Sequence, residues 1–232
     1  MDSTLGQSGG RRLGVEIIAH RGANREAPEN TIPAFQRALD IGVDGIELDV
    51  HVTRDNIPIV HHDAVLPDGG RIDRMESADL GRRTDAPRLS DVLELVNGRC
   101  RVYVEIKAAA ALIPSVELVK ERTDWCSVHS FDHRVSQMAR VLCPNLSTGI
   151  LLVCRLVDLP HAFTAANASD VWLHADFIDA GLIDDAHGER RRVIAWTVND
   201  VPLARELVAM GVDGICTDIP GALLARLGEG KS

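Results

Sequence analysis

The segment IGVDGIELDVHVT, residues 41–53, contains the end of a predicted helix, a glycine turn and a predicted strand. The same order recurs in MGVDGICTD, residues 210–218. A glycine that ends a helix, followed by an Asp-Gly turn, is the usual chemistry of a short connection from helix to strand. We call this repeated pattern the sequence echo, and we interpret it as a sign of repeated βα units and not of a duplicated active site.

Strands and helices alternate on both sides of this segment. Residues 15–20, VEIIAH, are mostly apolar, as in a short strand buried on both faces of a parallel sheet. Further strands are predicted at residues 45–53, 101–107, 125–130, 148–153, 171–175, 193–198 and 214–217, with helical patterns between them, for example at 31–41, 90–96, 134–142 and 201–210. Eight strands alternating with helices predict an α/β fold, a single-domain (β/α)8 TIM barrel over residues 14–228.

Two segments fall outside this alternation. Residues 1–13 are rich in glycine and serine and are predicted to form a flexible tail. Residues 66–88 are too long and too polar for a simple connection, and they form a short insertion after the second strand. Because long loops often carry function, we predict a lid or substrate loop there, with a solvated insertion of no function as the alternative.

Composition excludes several classes of protein. The 232 residues carry a net charge of -9, which provides no basic surface for a nucleic acid. The five cysteines contain no CxxC pair, which argues against a zinc cage or a disulfide framework. A signal peptide and an apolar run of membrane-spanning length are both missing from the sequence, so we expect a cytoplasmic protein without stable membrane insertion. A homo-oligomer is left open.

Polar residues cluster where the predicted strands end. In this fold the active site lies at the carboxyl ends of the strands. Residues two apart in a strand point to the same face, so Glu47 with Asp49, and Glu105 with Lys107, can share one mouth. Three carboxylates there would repel one another without a cation, and hard oxygen ligands suit Mg²⁺ or Ca²⁺. Each acid alone could be a surface or ion-paired group, and Lys107 could pair with Glu105.

Two histidines end extended runs at the same predicted mouth, His20 and His62. An imidazole titrates near neutral pH, so one ring can accept a proton while the other donates one to a leaving alkoxide. A structural hydrogen-bonding role is the alternative for either histidine alone. His61 points the other way and is interpreted as structural, and Asn30 and Thr31 are predicted to cap the first helix.

These residues lie within strings that resemble the signatures of the glycerophosphodiester phosphodiesterase family: AHRGANREAPENTIPAF, GVDGIELDVHVTRDNIPIVHHD and VEIK. Weaker similarity continues through SFD, AWTVND and GVDGICTDIPG, so the resemblance spans nearly the whole chain. It implies a TIM barrel that hydrolyses small phosphodiesters, such as deacylated phospholipids, to an alcohol and glycerol 3-phosphate. The residues implied are Glu47, Asp49 and Glu105 as metal ligands, His20 and His62 as the catalytic pair, Arg21 and Lys107 at the phosphate, and Trp196 in the substrate pocket.

The chain also departs from the family pattern. AVLPDGGRIDR follows His-His-Asp where the family has a leucine, an Arg-Thr-Thr run and a longer insertion. His129 stands where a small residue is usual, and His174 ends another strand near the same mouth. Both histidines could reshape the pocket, which leaves the identity of the alcohol open.

Three other functions compete with this one. A lysophospholipase D or sphingomyelinase D-like enzyme would use a similar barrel but would need an apolar entrance, and the polar loop at 66–88 offers little apolar surface. A non-catalytic phosphate-binding barrel would be expected to lack a metal carboxylate or a histidine. A sugar-phosphate isomerase would need glycine-rich loops after the seventh and eighth strands.

Overall fold

The computed structural model describes residues 14–228, whose backbone forms a closed barrel. The strands are β1 (Glu16–His20), β2 (Gly45–Val52), β3 (Pro58–Val60), β4 (Arg101–Ile106), β5 (Cys126–Ser130), β6 (Ser147–Leu152), β7 (Asp170–His174), β8 (Arg192–Trp196) and β9 (Gly214–Thr217). All except β3 run parallel, and β1 pairs with both β2 and β9, which closes the barrel. β3 lies outside the barrel and pairs antiparallel with β2. The predicted (β/α)8 TIM barrel is therefore confirmed.

Helices follow the barrel strands and cover their outer faces, except for one short helix in the insertion after β3. They are α1 (Ile32–Ile41), α2 (Ser77–Leu80), α3 (Leu89–Val96), α4 (Leu112–Val119), α5 (His133–Leu142), α6 (Leu159–Ala166), α7 (Ala180–Gly188), α8 (Val201–Met210) and α9 (Pro220–Gly228). α1 and α8 end at the glycines of the sequence echo, Gly42 and Gly211, whose φ angles of 82° and 99° favour a residue without a side chain. Four of the helices begin with an aspartate whose carboxylate accepts a backbone N–H.

Aromatic side chains fill the barrel interior because glycines on other strands leave room for them. A Cβ at Gly45 would lie 2.8 Å from Cε2 of Tyr103, and one at Gly149 would lie 3.1 Å from Cδ1 of Trp172. The two rings meet edge to face with centroids 4.9 Å apart. Small and large side chains thus alternate around the interior and form the floor beneath the carboxyl rim.

A charged cluster closes the opposite end of the barrel. Arg192 donates to Glu16 at 2.6 Å, and the Tyr103 hydroxyl donates to the same carboxylate at 2.5 Å. Asp170 lies 3.8 Å from the Arg192 guanidinium, but neither of its carboxylate oxygens has a hydrogen-bond partner. Burial raises the pKa of Asp170 to about 6, although Arg192 opposes the rise.

The insertion after β3 has a small core of its own. Leu66, Ile72 and Leu80 are buried together with Ile59 of β3. The segment contains a single 3₁₀ turn at Ile72–Arg74 and the short helix α2. These contacts attach residues 66–88 to the β2–β3 hairpin, and the lid or substrate-loop role stays a prediction.

The remaining sequence predictions have mixed outcomes. The predicted barrel strands agree with the observed ones to within one or two residues at each end. The predicted flexible tail, residues 1–13, lies outside the described residues. All five cysteines are free. Within residues 14–228, every helix is too short or too polar to cross a lipid bilayer.

Candidate active site

A pocket of about 240 Å³ opens at the carboxyl ends of the barrel strands. Seven of the eight side chains predicted from the sequence line it, namely His20, Arg21, Glu47, His62, Glu105, Lys107 and Trp196. The eighth, Asp49, lies behind these residues and is almost fully buried. Reasoning from strand ends thus placed His20, Glu47, His62, Glu105 and Lys107 at this mouth, and the family resemblance placed Arg21 and Trp196 there, while the role of each residue stays a prediction.

The most acidic part of the pocket is formed by Glu47 on β2 and Glu105 on β4, beside His129 on β5. All three residues are buried, and one potential ligand atom from each lies within 4.8 Å of the others. Burial, with the charges of Asp49 and Glu47, raises the pKa of Glu105 to about 7. Concentrated negative charge of this kind, with an imidazole beside it, suits a bound cation.

Asp49 has a separate set of partners. Its Oδ2 accepts a hydrogen bond from Asn30 Nδ2 at 2.8 Å and lies 3.1 Å from Arg21 Nε, while its Oδ1 lies 3.4 Å from Lys107 Nζ. Although burial favours the neutral acid, the two cations outweigh it and lower the pKa of Asp49. Of the two residues predicted to cap the first helix, Thr31 is the cap, whereas Asn30 binds Asp49 instead. Metal ligation by Asp49 stays a prediction.

The two basic groups predicted to contact phosphate are paired with acids. Lys107 Nζ lies 2.8 Å from Glu105 Oε1, which is the ion pair noted above as the alternative for this residue. Arg21 Nη1 donates to Glu29 at 2.9 Å. Arg21 has a φ of 56°, rare for a residue with a side chain, and its backbone N–H donates to Glu47 Oε2 at 3.1 Å. A role at the phosphate stays a prediction for both.

His20 is oriented by a carboxylate from the other end of the chain. Its Nδ1 donates to Asp218 Oδ1 at 2.7 Å, and Asp218 also accepts from Asn24 at 2.6 Å and Asn199 at 2.7 Å. Burial opposes protonation of His20, but the Asp218 hydrogen bond and the charge of Glu47 outweigh it, so the pKa of His20 is raised. Although burial acts in the opposite direction, the three hydrogen bonds hold the pKa of Asp218 well below its usual range.

His62 is likewise held by a carboxylate. Its Nδ1 donates to Asp63 Oδ1 at 2.8 Å, and its backbone carbonyl accepts from His51 Nε2 at 3.0 Å. His61 donates through Nδ1 to the Asp63 carbonyl at 2.8 Å, a local contact in keeping with the predicted structural role. Both candidate catalytic rings thus have Nδ1 engaged, which leaves Nε2 free for substrate.

Aromatic side chains form the remaining wall of the pocket. Trp196 packs edge to face against Phe131, with ring centroids 5.6 Å apart, and against His174 at 5.7 Å. His174 in turn contacts Phe177 at 6.2 Å. Trp196 therefore lies in the pocket as predicted from the resemblance, and its role toward substrate stays a prediction.

Two residues of the site were given no role in the sequence analysis. Asp218 lies just beyond the end of β9 and on the same face as Cys216, so the strand-end rule applied to that strand would have found it. His129 was noted only as a departure that could reshape the pocket. Its position beside Glu47 and Glu105 depends on the pairing of β4 with β5, where Glu105 lies opposite His129.

The fold and this rim together define a class of protein. A TIM barrel with buried carboxylates, two cationic groups and two carboxylate-oriented imidazoles at its carboxyl rim has the arrangement of an enzyme with acid-base groups at its active site. The chain belongs to the glycerophosphoryl diester phosphodiesterase family, whose model matches residues 20–222. The family resemblance drawn from the motifs is confirmed.

Individual relatives agree over nearly their whole lengths. The chain is 30% identical to a glycerophosphodiester phosphodiesterase of Caldanaerobacter subterraneus, covering 92% of this chain and 98% of that protein. It is also 30% identical to one of Bacillus altitudinis, covering 89% and 95%. Among solved structures, an Oleispira antarctica phosphodiesterase in complex with the product sn-glycerol-3-phosphate has a TM-score of 0.84 at 25% identity, covering 91% and 96%. A Parabacteroides distasonis glycerophosphodiester phosphodiesterase has a TM-score of 0.83 at 25% identity, covering 94% and 99%.

Proposed function

We propose that this enzyme hydrolyses glycerophosphodiesters to an alcohol and sn-glycerol 3-phosphate, with a divalent cation and acid-base catalysis by His20 and His62. The observation that carries the proposal is the pairing of two pocket imidazoles with carboxylates. Asp218 holds Nδ1 of His20 at 2.7 Å, and Asp63 holds Nδ1 of His62 at 2.8 Å. Family membership supports the same reaction.

The donor set of the pocket fits a divalent cation. Glu47 and Glu105 are buried carboxylates within 4.8 Å of each other, and Asp49 adjoins Glu105 across the β2–β4 pairing. These three acids would hold the ion, as the sequence predicts for Mg²⁺ or Ca²⁺. When bound, such an ion polarises a phosphoryl oxygen and offsets the negative charge of the phosphate.

The two histidines divide the proton transfers. With Nδ1 engaged by a carboxylate, each ring is fixed in one orientation and presents Nε2 to the pocket. One imidazole accepts a proton from the nucleophile, either water or a hydroxyl of the substrate's glycerol, as the new O–P bond forms, and the other donates a proton to the alcohol oxygen as its P–O bond breaks. If the glycerol hydroxyl attacks, water then opens the cyclic phosphodiester with the two proton transfers reversed, and if water attacks, the rings exchange one proton with solvent. The cycle closes when the two rings return to their starting protonation states.

Arg21 and Lys107 supply positive charge at the phosphate. Both lie beside Asp49, at 3.1 Å and 3.4 Å, and both line the pocket. Fixed cations here stabilise the charge that develops on the phosphoryl oxygens as the nucleophile approaches. Trp196 bounds the alcohol side of the pocket.

A lysophospholipase D activity is the second candidate, and one observation favours it. Apolar side chains are exposed in the loops that follow β5, β6 and β7, among them Phe131, Val153, Val157 and Phe177. An apolar patch beside a pocket can accept an acyl chain. Rates on glycerophosphocholine and on lysophosphatidylcholine, measured under the same conditions, distinguish the two substrates.

The proposal is tested by assaying purified protein on several glycerophosphodiesters with Mg²⁺, with Ca²⁺ and with chelator. We expect release of sn-glycerol 3-phosphate that stops in chelator and resumes when the cation is restored. Glu47→Gln and His62→Ala are expected to lower kcat by roughly 10²–10⁴-fold. His161→Ala, at an exposed position on α6, is the matched control and should keep wild-type turnover. Full turnover in chelator would reject the cation, and full turnover of His62→Ala would reject the acid-base pair.

A further inference from the structure

The imidazole of His129 is buried without a hydrogen-bond partner. Its exposed fraction is 1%, and neither ring nitrogen bonds to any of the described residues. Leaving a buried polar group unpaired costs about 1–3 kcal/mol, so such groups in folded proteins normally have a partner. The function proposed above does not use this ring.

The ring adjoins the two carboxylates of the pocket. Its Nε2 lies 3.9 Å from Glu47 Oε1, too far for a hydrogen bond. One atom each of His129, Glu47 and Glu105 lies within 4.8 Å of the others. Donor atoms that share one ion at bond lengths of about 2.0–2.6 Å lie roughly 3–4 Å from one another, so only a small contraction would bring the three onto a single cation.

Packing fixes the orientation of the ring. His129 stacks on Trp172, with centroids 4.5 Å apart and planes 19° from parallel. Trp172 can take this position because Gly149, opposite His129 on β6, has no side chain. A ring held by stacking is oriented before any ligand arrives, as a ligand site requires.

We propose that His129 is a nitrogen ligand of the divalent cation, beside Glu47 and Glu105, and that it raises the affinity of the site for Mn²⁺ relative to Ca²⁺. The inference rests on the proposed cation and adds a ligand to it. Imidazole suits first-row transition metals, whereas Ca²⁺ takes oxygen ligands almost exclusively. A mixed nitrogen and oxygen site should therefore favour Mn²⁺ over Ca²⁺.

The test is pulsed electron paramagnetic resonance of Mn²⁺ bound to the full chain, together with Mn²⁺ and Ca²⁺ affinities. Wild type should show coupling of the manganese electron spin to a directly bonded nitrogen. His129→Phe retains the stacking ring but removes both nitrogens, so the coupling should vanish and the preference for Mn²⁺ over Ca²⁺ should fall about 10-fold or more. His161→Ala removes an exposed imidazole and should keep both properties of wild type.

Thermal unfolding in chelator shows whether His129→Phe is folded. Because phenylalanine removes two unpaired buried nitrogens, its Tm without metal should equal or exceed that of wild type, and saturating Mn²⁺ should raise its Tm less than that of wild type. If nitrogen coupling is missing in wild type or persists in His129→Phe, His129 is not a metal ligand. If Glu47→Gln nevertheless weakens Mn²⁺ binding, the proposed cation site stands. Mn²⁺ binding insensitive to Glu47→Gln would overturn both.

Discussion

The carboxylates that orient His20 and His62 lie at very different distances from them in the sequence. Asp63 is the sequence neighbour of His62, whereas Asp218 is 198 residues from His20. Asp218 is itself fixed by Asn24 and Asn199, so its carboxylate is rigid when it orients the ring. The orientation of one pocket imidazole thus depends on hydrogen bonds between the two ends of the chain.

Asp218→Asn is expected to lower kcat by roughly 10²-fold or more, because an amide cannot stabilise the protonated ring or fix its tautomer as a carboxylate does. The hydrogen bond to Asp218 raises the pKa of His20, so the pKa of His20 should be lower in Asp218→Asn. The limb of the pH–rate profile that reports His20 should therefore move to lower pH in this variant. Steady-state kinetics from pH 5 to 9 measures both effects. Asp176→Asn, which alters an exposed carboxylate 3.6 Å from His174, is the matched control and should leave the profile in place. An unchanged profile in Asp218→Asn would contradict the orienting role.

The two copies of the sequence echo make the same contacts between neighbouring strands. Asp44 and Asp213, in equivalent positions, each accept a backbone N–H from a neighbouring strand, from Ile17 at 2.9 Å and from Val193 at 2.8 Å. These contacts support the interpretation that the echo reflects architecture. At the other end of the echo, Asp49 and Asp218 occupy equivalent positions and both reach the site, and the first copy adds Glu47 where the second has Cys216.

Gly45 begins β2, and its missing side chain makes room for Tyr103 in the barrel interior. Gly45→Ala would place a Cβ 2.8 Å from a buried aromatic ring that has no space to move, so the free energy of unfolding should fall by about 1–3 kcal/mol. Urea unfolding measures this difference. Gly188→Ala, in α7, meets no atom within 4 Å and should be neutral or stabilising by up to about 1 kcal/mol. Equal stability of Gly45→Ala and wild type would show that the interior can repack.

The whole molecule separates two charged regions with a hydrophobic floor. The carboxyl rim holds the site, and the opposite end holds Glu16, Arg192 and Asp170 beneath the layer of Tyr103 and Trp172. At the lower end, Asp170 is buried with both oxygens unpaired. Its proton is bound more tightly in the folded chain than in the unfolded chain, because burial raises its pKa from the ordinary 3.8 to about 6.

The free energy of unfolding should therefore fall as the pH rises from about 4 to 6, because Asp170 becomes ionised while buried. Above about pH 6 the free energy of unfolding should stay lowered by the whole of this effect. Asp170→Asn removes that charge, so its free energy of unfolding at pH 8 should exceed that of wild type by about 1–3 kcal/mol, and the difference should shrink toward pH 5. Urea unfolding at several pH values is the measurement. Asp184→Asn, at an exposed position of α7, should give a small difference that does not depend on pH. A loss of stability in Asp170→Asn at pH 8 would mean that attraction to Arg192 outweighs burial.

The barrel and most of its rim can be predicted from the amino-acid sequence. Alternating strands and helices predict the fold, and the two-residue period of a strand places Glu47, Glu105 and His20 at one mouth. These are local properties of the chain. Local patterns do not show which side chains of different strands contact one another, because those contacts depend on strand register and on closure of the barrel.

The partners of those residues are known only from the folded chain. Asp218 accepts a hydrogen bond from His20, and His129 Nε2 lies 3.9 Å from Glu47 Oε1. Asp49 contacts Asn30, Arg21 and Lys107. Each of these contacts joins segments that are distant in sequence. Their geometry follows from packing around Trp172 and Tyr103 and from the pairing of β1 with β9, which no local pattern of residues specifies.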